Sequence, residues 1–214
     1  MIKLGITLGD PAGVGPEILV KSLPYLEHLK AKFILFGDKN LILTLTKTYK
    51  INIPKNIELL NLSSLHIIPG RPNELTHRAT VNYLYSAIDF LKKNEIQGLI
   101  TLPISKECFK VLELPYRGHT EFLAEAFNIK NYAMCFYGKK LKVALVTTHI
   151  PLKEVPYKID PHIIEKKAKL IYEFLKKIQT KKEVPKIALC ALNPHAGEGG
   201  LLGNEEKEIL IPIV

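Results

Sequence analysis

Ile2–Leu8 (IKLGITL) runs straight into Gly9–Glu17 (GDPAGVGPE) and then into Ile18–Leu29, where apolar residues recur at helical spacing. A short apolar run, a glycine-rich turn and an amphipathic segment spell strand, turn and helix in that order. The alternation recurs downstream. Lys32–Phe36 is a second short run closed by Gly37-Asp38. Leu75–Leu91 reads as a long amphipathic helix with Leu75, Ala79, Leu84, Ala87, Ile88 and Leu91 on its buried face, and Gly98–Leu102 as a further strand before Pro103. Tyr132–Phe136 and Leu141–Val146, separated by Tyr137–Lys140, read as a β-hairpin. Asp160 stands where it can cap a helix that starts at Pro161 and runs to about Gln179, with lysines in the last turn suited to the negative end of its dipole. Strand–helix repeats of this kind predict an α/β fold with a largely parallel sheet plus an antiparallel element.

The opening turn, with Gly9, Gly13 and Gly15 ahead of Pro16 and Glu17, lies where backbone amides can hold an anion. It lacks the third glycine of GxGxxG and has no GK[ST], so it is neither a Rossmann fingerprint nor a P-loop. A tight structural turn accounts for it at least as well, with Asp10 a candidate for orienting a ligand.

With 214 residues, 47% of them hydrophobic, the chain can bury a real core in one large or two small domains. Cys108, Cys135 and Cys190 lie far apart without CxxC spacing, and two of them sit in apolar runs, so they read as buried thiols in a reducing compartment rather than a disulfide framework. MIKLGITLGD is too short and too interrupted for a signal peptide or a membrane span, which makes the cytoplasm the expected location and a membrane partner unexpected. The net charge of +9 invites a nucleic-acid reading. Its distribution argues against one: only Arg71, Arg78 and Arg117 are arginines, and many of the lysines come in scattered pairs such as Lys92-Lys93, Lys139-Lys140, Lys166-Lys167, Lys176-Lys177 and Lys181-Lys182. Arginine is the side chain that forks onto phosphates and bases. The lysines read mainly as solvated surface, with a bias toward an anionic substrate.

Three blocks carry candidate chemistry. Leu192–Gly200 (LNPHAGEGG) sets His195 among glycines, an acid and an asparagine, a composition that makes poor core and good site. Val146–Leu152 (VTTHIPL) has the same character around His149. Each histidine follows an apolar run that reads as a buried strand, Lys186–Ala191 (KIALCA) and Leu141–Val146 (LKVALV), and ligands of open α/β sheets sit at strand ends. Imidazole is the commonest protein metal ligand. A histidine that merely caps a turn is the competing account of each. In Tyr116–Phe127 (YRGHTEFLAEAF), His119 and Thr120 open an amphipathic helix whose buried face is Phe122, Leu123, Ala126 and Phe127. Their side chains and the first-turn amides can cradle a phosphate or carboxylate, or simply cap the helix. Lys106, in TLPISK after a strand, faces either an anion or water. His77 and His162 read as surface or helix-end residues.

Taken in order, ITLGDPAGVGPE, TLPISK, GHTEFLA, LKVALVTTHIPL and LNPHAGEGGLLGNEE resemble the 4-hydroxythreonine-4-phosphate dehydrogenase family of pyridoxine biosynthesis over nearly the whole chain. The resemblance implies an isocitrate/isopropylmalate-dehydrogenase-like fold of two α/β domains, 1–128 and 129–214, with a cleft between them and the second incomplete. It implies a homodimer with shared active sites, NAD or NADP as cofactor, and a divalent metal, whether Zn, Mg, Mn or Co. By position, His149 and His195 match two of the family's three metal histidines, and His119 and Thr120 its substrate-binding pair. The implied reaction is oxidation and decarboxylation of 4-phosphooxy-L-threonine to 3-amino-2-oxopropyl phosphate. The family's third metal histidine, in a YHDQ-like segment, and a GTAxDIAG-like segment have no counterpart here. The chain closes on the apolar run Ile209–Val214, so a C-terminally truncated enzyme is expected. Two alternatives accompany this reading: a dehydrogenase of threonate or erythronate 4-phosphate, and a catalytically incomplete form of the fold.

Overall fold

β1 (Ile2–Thr7) forms an inner strand of a parallel sheet and pairs on one edge with β2 (Ala31–Asp38) and on the other with β4 (Gly98–Thr101); β3 (Ile57–Ser63) completes the order β3-β2-β1-β4. The computed structural model describes residues 1–178 and 183–214. The expected helix end at Gln179 and the Lys181-Lys182 pair lie outside the described residues. The chain divides into two units, Met1–Phe127 and Asn128–Val214.

In the first unit, α1 (Gly15–Leu26) and α2 (Lys39–Tyr49) connect β1 to β2 and β2 to β3, and α3 (Glu74–Lys92) carries the chain from β3 to β4. Because parallel crossovers are right-handed, α1 and α2 cover one face of the sheet and α3 the other. A strand covered on both faces is apolar without alternation, which is why Phe33–Asp38 is buried throughout. Leu19, Val20 and Leu23 of α1, Phe33, Leu35 and Phe36 of the sheet, and Tyr83 and Ala87 of α3 belong to one core that runs through the sheet. Each such Leu or Phe contributes roughly 1.5–3 kcal/mol by leaving water.

A polar tie joins three elements within that core. Asp38 caps α2 by accepting from the Leu41 amide at 3.0 Å, and also accepts from the Ser63 hydroxyl at 3.0 Å and the Leu65 amide at 2.9 Å. With its proton given to Asp38, Ser63 accepts from Tyr83, whose phenol burial pushes up to about 12. A second cluster packs Leu84 and Ile88 of α3 against Cys108 and Phe109 of α4 (Glu107–Val111) and Phe122 of α5 (His119–Ala126).

The second unit holds a short antiparallel pair, β5 (Cys135–Tyr137) and β6 (Lys142–Ala144), then α6 (Val155–Lys158) and α7 (Pro161–Ile178). Asp160 accepts from the Ile163 amide at 3.0 Å and caps α7, as expected. Among the described residues no helix is long and apolar enough to cross a membrane.

Several expectations are corrected. Lys186–Ala191 forms no strand and is exposed, as is Cys190 within it, which is therefore not a buried thiol. A strand exists only by pairing, and no other described strand lies against this run. Leu141–Val146 is not buried either, since its hairpin is covered on neither face by a further strand layer among the described residues. Leu75 is 62% exposed, whereas His77 is 5% exposed. The buried stripe of the first two turns of α3 is mostly polar, with Thr76, His77 and Thr80 beside Ala79, so an apolar count misplaces it.

Candidate active site

The sheet order reverses between β1 and β4, and the carboxyl ends of these strands are where an open α/β sheet presents its ligand crevice. The GDPAG turn and the TLPISK loop meet there, the Asp10 amide donating to the Pro103 carbonyl at 3.0 Å. A Cβ on Gly9, whose φ is +74°, would strike that same carbonyl, and one on Gly15 would strike the carbonyl of Leu8. These glycines are thus required by backbone packing. Asp10 is buried and accepts from the Ala12 amide at 2.9 Å, so one of its oxygens holds the turn. Lys106, at the end of the loop, is exposed.

The same unit buries polar atoms that find no protein partner, among them Thr7 Oγ1, Asn56 Oδ1, both ring nitrogens of His77, and Nε2 of His119. An unpaired buried polar atom is costly, and an active site is one place where it persists. His77 was not singled out by the sequence. Its neighbours Thr76 and Thr80 share the buried stripe, and the Asn73–Thr76 capping box, which fixes where α3 starts, is the signal that locates it.

α5 is set by its aromatic anchor. Phe122 lies edge-on to Tyr85 and Tyr116, at 5.0 and 5.1 Å between ring centres, and beside Phe109 at 5.7 Å. Leu123 and Ala126 are half-buried as expected, but Phe127 is 39% exposed, because it follows the last turn and lies beneath Lys92 instead. The helix is capped by Gly118, with no side-chain cap bond. Capping therefore occupies neither His119 nor Thr120. Burial lowers the pKa of His119, which keeps its ring neutral and able to both donate and accept at neutral pH. Thr120 is exposed.

His149 and His195 both lie in the second unit, both exposed and both in the left-handed backbone region, with φ of 57° and 51°. His149 lies five residues beyond the end of β6, and His195 follows no strand at all, so neither sits at the buried strand end expected of it. His195 opens a left-handed run through Gly199, in which each non-glycine residue costs roughly 1–2 kcal/mol. Glu206 holds the run in place. Its carboxylate, 3% exposed, accepts from the amides of Leu192 (2.8 Å) and Asn193 (2.7 Å) and from the Asn193 side chain (2.9 Å). The Asn193 amide above all, then its side chain, holds the Glu206 carboxyl below the usual carboxylate range. Lys207 donates to the Gly199 carbonyl and pins the far end.

Residues 24–214 match the family model described as pyridoxal phosphate biosynthetic protein PdxA. The chain belongs to that family. A 4-hydroxythreonine-4-phosphate dehydrogenase from Sulfurihydrogenibium is 42% identical over 227 residues, covering 100% of this chain and 70% of the relative. A relative from Oceanobacillus iheyensis, 36% identical over 99% of this chain and 69% of its own length, is provisionally named D-threonate 4-phosphate dehydrogenase. A crystal structure of the Klebsiella pneumoniae 4-hydroxythreonine-4-phosphate dehydrogenase superposes with a TM-score of 0.82 at 28% identity, over 100% of this chain and 69% of that one. The chain is thus an oxidoreductase of the PdxA family with that family's α/β fold, and it spans about 70% of the length of these relatives.

A divalent metal fits the donor set in kind but not in number. Two exposed imidazoles suit zinc better than magnesium or manganese, which favour oxygen ligands. Among the described residues no group of three or more His, Cys, Asp and Glu side chains is gathered as a metal site, whereas catalytic zinc takes three protein ligands. For NAD, the glycine turn is filled by its own backbone contacts and offers no cradle.

Proposed function

We propose that this chain serves the NAD-dependent oxidation and decarboxylation of 4-phosphooxy-L-threonine to 3-amino-2-oxopropyl phosphate, as one subunit of a homodimer with shared sites. The observation that carries the reading is the pairing of a PdxA-family match over residues 24–214 with side chains left free at the expected positions. His119 has a buried, unpartnered Nε2, and neither it nor Thr120 is used as a cap.

In this reading His119 and Thr120 bind the phosphorylated substrate. The neutral ring of His119 offers a hydrogen bond without a fixed charge, and Thr120 offers a hydroxyl beside the α5 amides. NAD, when bound, would supply the hydride acceptor for C3, and the C3 hydroxyl would release its proton to solvent. The C1–C2 bond of the resulting β-keto acid then breaks with loss of carbon dioxide, and C2 takes up a proton. His149 and His195 would hold a divalent ion, together with a third ligand that the described residues do not supply. When bound, such an ion supplies Lewis acidity at the oxygen that becomes the ketone.

The test is NADH formation from 4-phosphooxy-L-threonine by the purified chain with each candidate metal in turn. In a full-length form that supplies the third ligand, His149→Ala and His195→Ala are expected each to abolish metal-dependent turnover, and His28→Ala and His66→Ala to preserve it. Equal tolerance of all four changes refutes the metal assignment. Absence of turnover with any metal refutes catalysis by this chain alone. The Oceanobacillus relative favours one second reading, a four-carbon sugar-acid 4-phosphate as substrate. Faster turnover of D-threonate 4-phosphate than of the amino acid would select it.

A further inference from the structure

The second unit contains an open cavity of about 380 Å³ whose lining includes Thr147, Thr148 and four lysines, Lys130, Lys158, Lys166 and Lys167, with no Asp or Glu. Four elements converge on it: the loop before β5, the loop after β6, α6 and α7. Lys167 is held by Tyr132, donating to its carbonyl and lying 5.3 Å over its ring. Lys130, Lys158 and Lys166 take part in none of the salt bridges among the described residues. Glu165, the adjacent acid on α7, is paired instead with Lys169 at 2.6 Å.

Gathering four ammonium groups around one opening without a countercharge is unfavourable, and an anion seated among them reverses the sign of that term. Lysine is a compact point charge suited to phosphate, and threonine hydroxyls add neutral donors. The volume falls in the usual range of small-molecule sites, about 300–1,000 Å³. We propose that this cavity is a binding site for the phosphate group of a small molecule. The proposal stands on the cavity and does not require the dehydrogenase reading. Two sources share this chemistry, a phosphate monoester and the diphosphate linker of a dinucleotide.

Calorimetric titration of the whole chain with inorganic phosphate and with inorganic pyrophosphate tests it. Saturable binding of at least one is expected, weakened about tenfold by the double change Lys158→Gln and Lys166→Gln, at roughly 0.7 kcal/mol per lysine. The control Lys30→Gln with Lys55→Gln, on the other unit, is expected to stay within about twofold. Tighter pyrophosphate binding assigns the cavity to a diphosphate, and tighter phosphate binding to a monoester. Amide shift changes in the unaltered chain are expected at Thr147, Thr148 and Lys166, a readout that holds even if the double variant does not fold. Absence of saturable binding, equal loss in both double variants, or shift changes centred elsewhere overturns the proposal.

Discussion

His119 owes its chemistry to where α5 begins. Gly118 takes the cap, Phe122 fixes the helix, and the imidazole is left with a buried nitrogen and a lowered pKa. A histidine that burial keeps neutral favours the fold fully above its unfolded value near 6.5, and that contribution is lost as pH falls through the lower folded value. We predict that the His119 ring titrates, by its NMR shifts, at a lower pH in the folded chain than in urea. A titration at or above the unfolded value would contradict the burial argument. Glu206 works in the opposite chemistry with the same sign. Its carboxyl is depressed, so its support of the 192–200 turn is complete above about pH 4.5 and fades as pH falls through the lower folded value. In Glu206→Gln, one of the two atoms facing amide donors becomes an NH2. Hydrogen exchange at Leu192 and Asn193 is expected to quicken by about tenfold or more, and unchanged exchange would show that the turn holds itself.

At the scale of elements, the β1–turn–α1 unit is the most constrained. Gly9→Ala puts a methyl group onto the Pro103 carbonyl in a left-handed conformation. A loss of about 2–4 kcal/mol in urea unfolding is expected, and a loss below 1 kcal/mol would mean that the loop yields. This unit was legible in the sequence because its run, turn and periodicity all agree. So were α3, β4, the β5–β6 hairpin and α7. By contrast, α2 was not read. Its ILTLT stretch alternates like a strand and becomes helical through the Asp38 cap and a left-handed Lys50 that ends it. Lys186–Ala191 failed the other way, apolar enough for a buried strand but unpaired among the described residues. The blocks around His119, His149 and His195 were readable because histidine beside glycine or threonine is poor core. His77 was not, since its burial follows from a polar face that hydrophobic counting ignores.

For the whole molecule, stability is uneven. The parallel sheet of the first unit is sealed by a continuous core, whereas no backbone amide of Lys186–Ala191 donates to a described residue. Exchange protection is therefore expected to be greatest in β1 and β2 and nearly absent across 186–191. Protection there approaching that of β1 would require a pairing partner. The strand order has a further consequence, for synthesis. β1 leaves the ribosome ahead of the other described strands, yet the strand that covers one of its edges begins only at Gly98. At about 5–20 residues per second, that edge stays open for roughly 5–20 s while the intervening chain is translated. A nascent chain stalled between residues 64 and 97 would thus display a strand edge of unpaired N–H and C=O groups, a template on which other chains can aggregate unless a chaperone shields it.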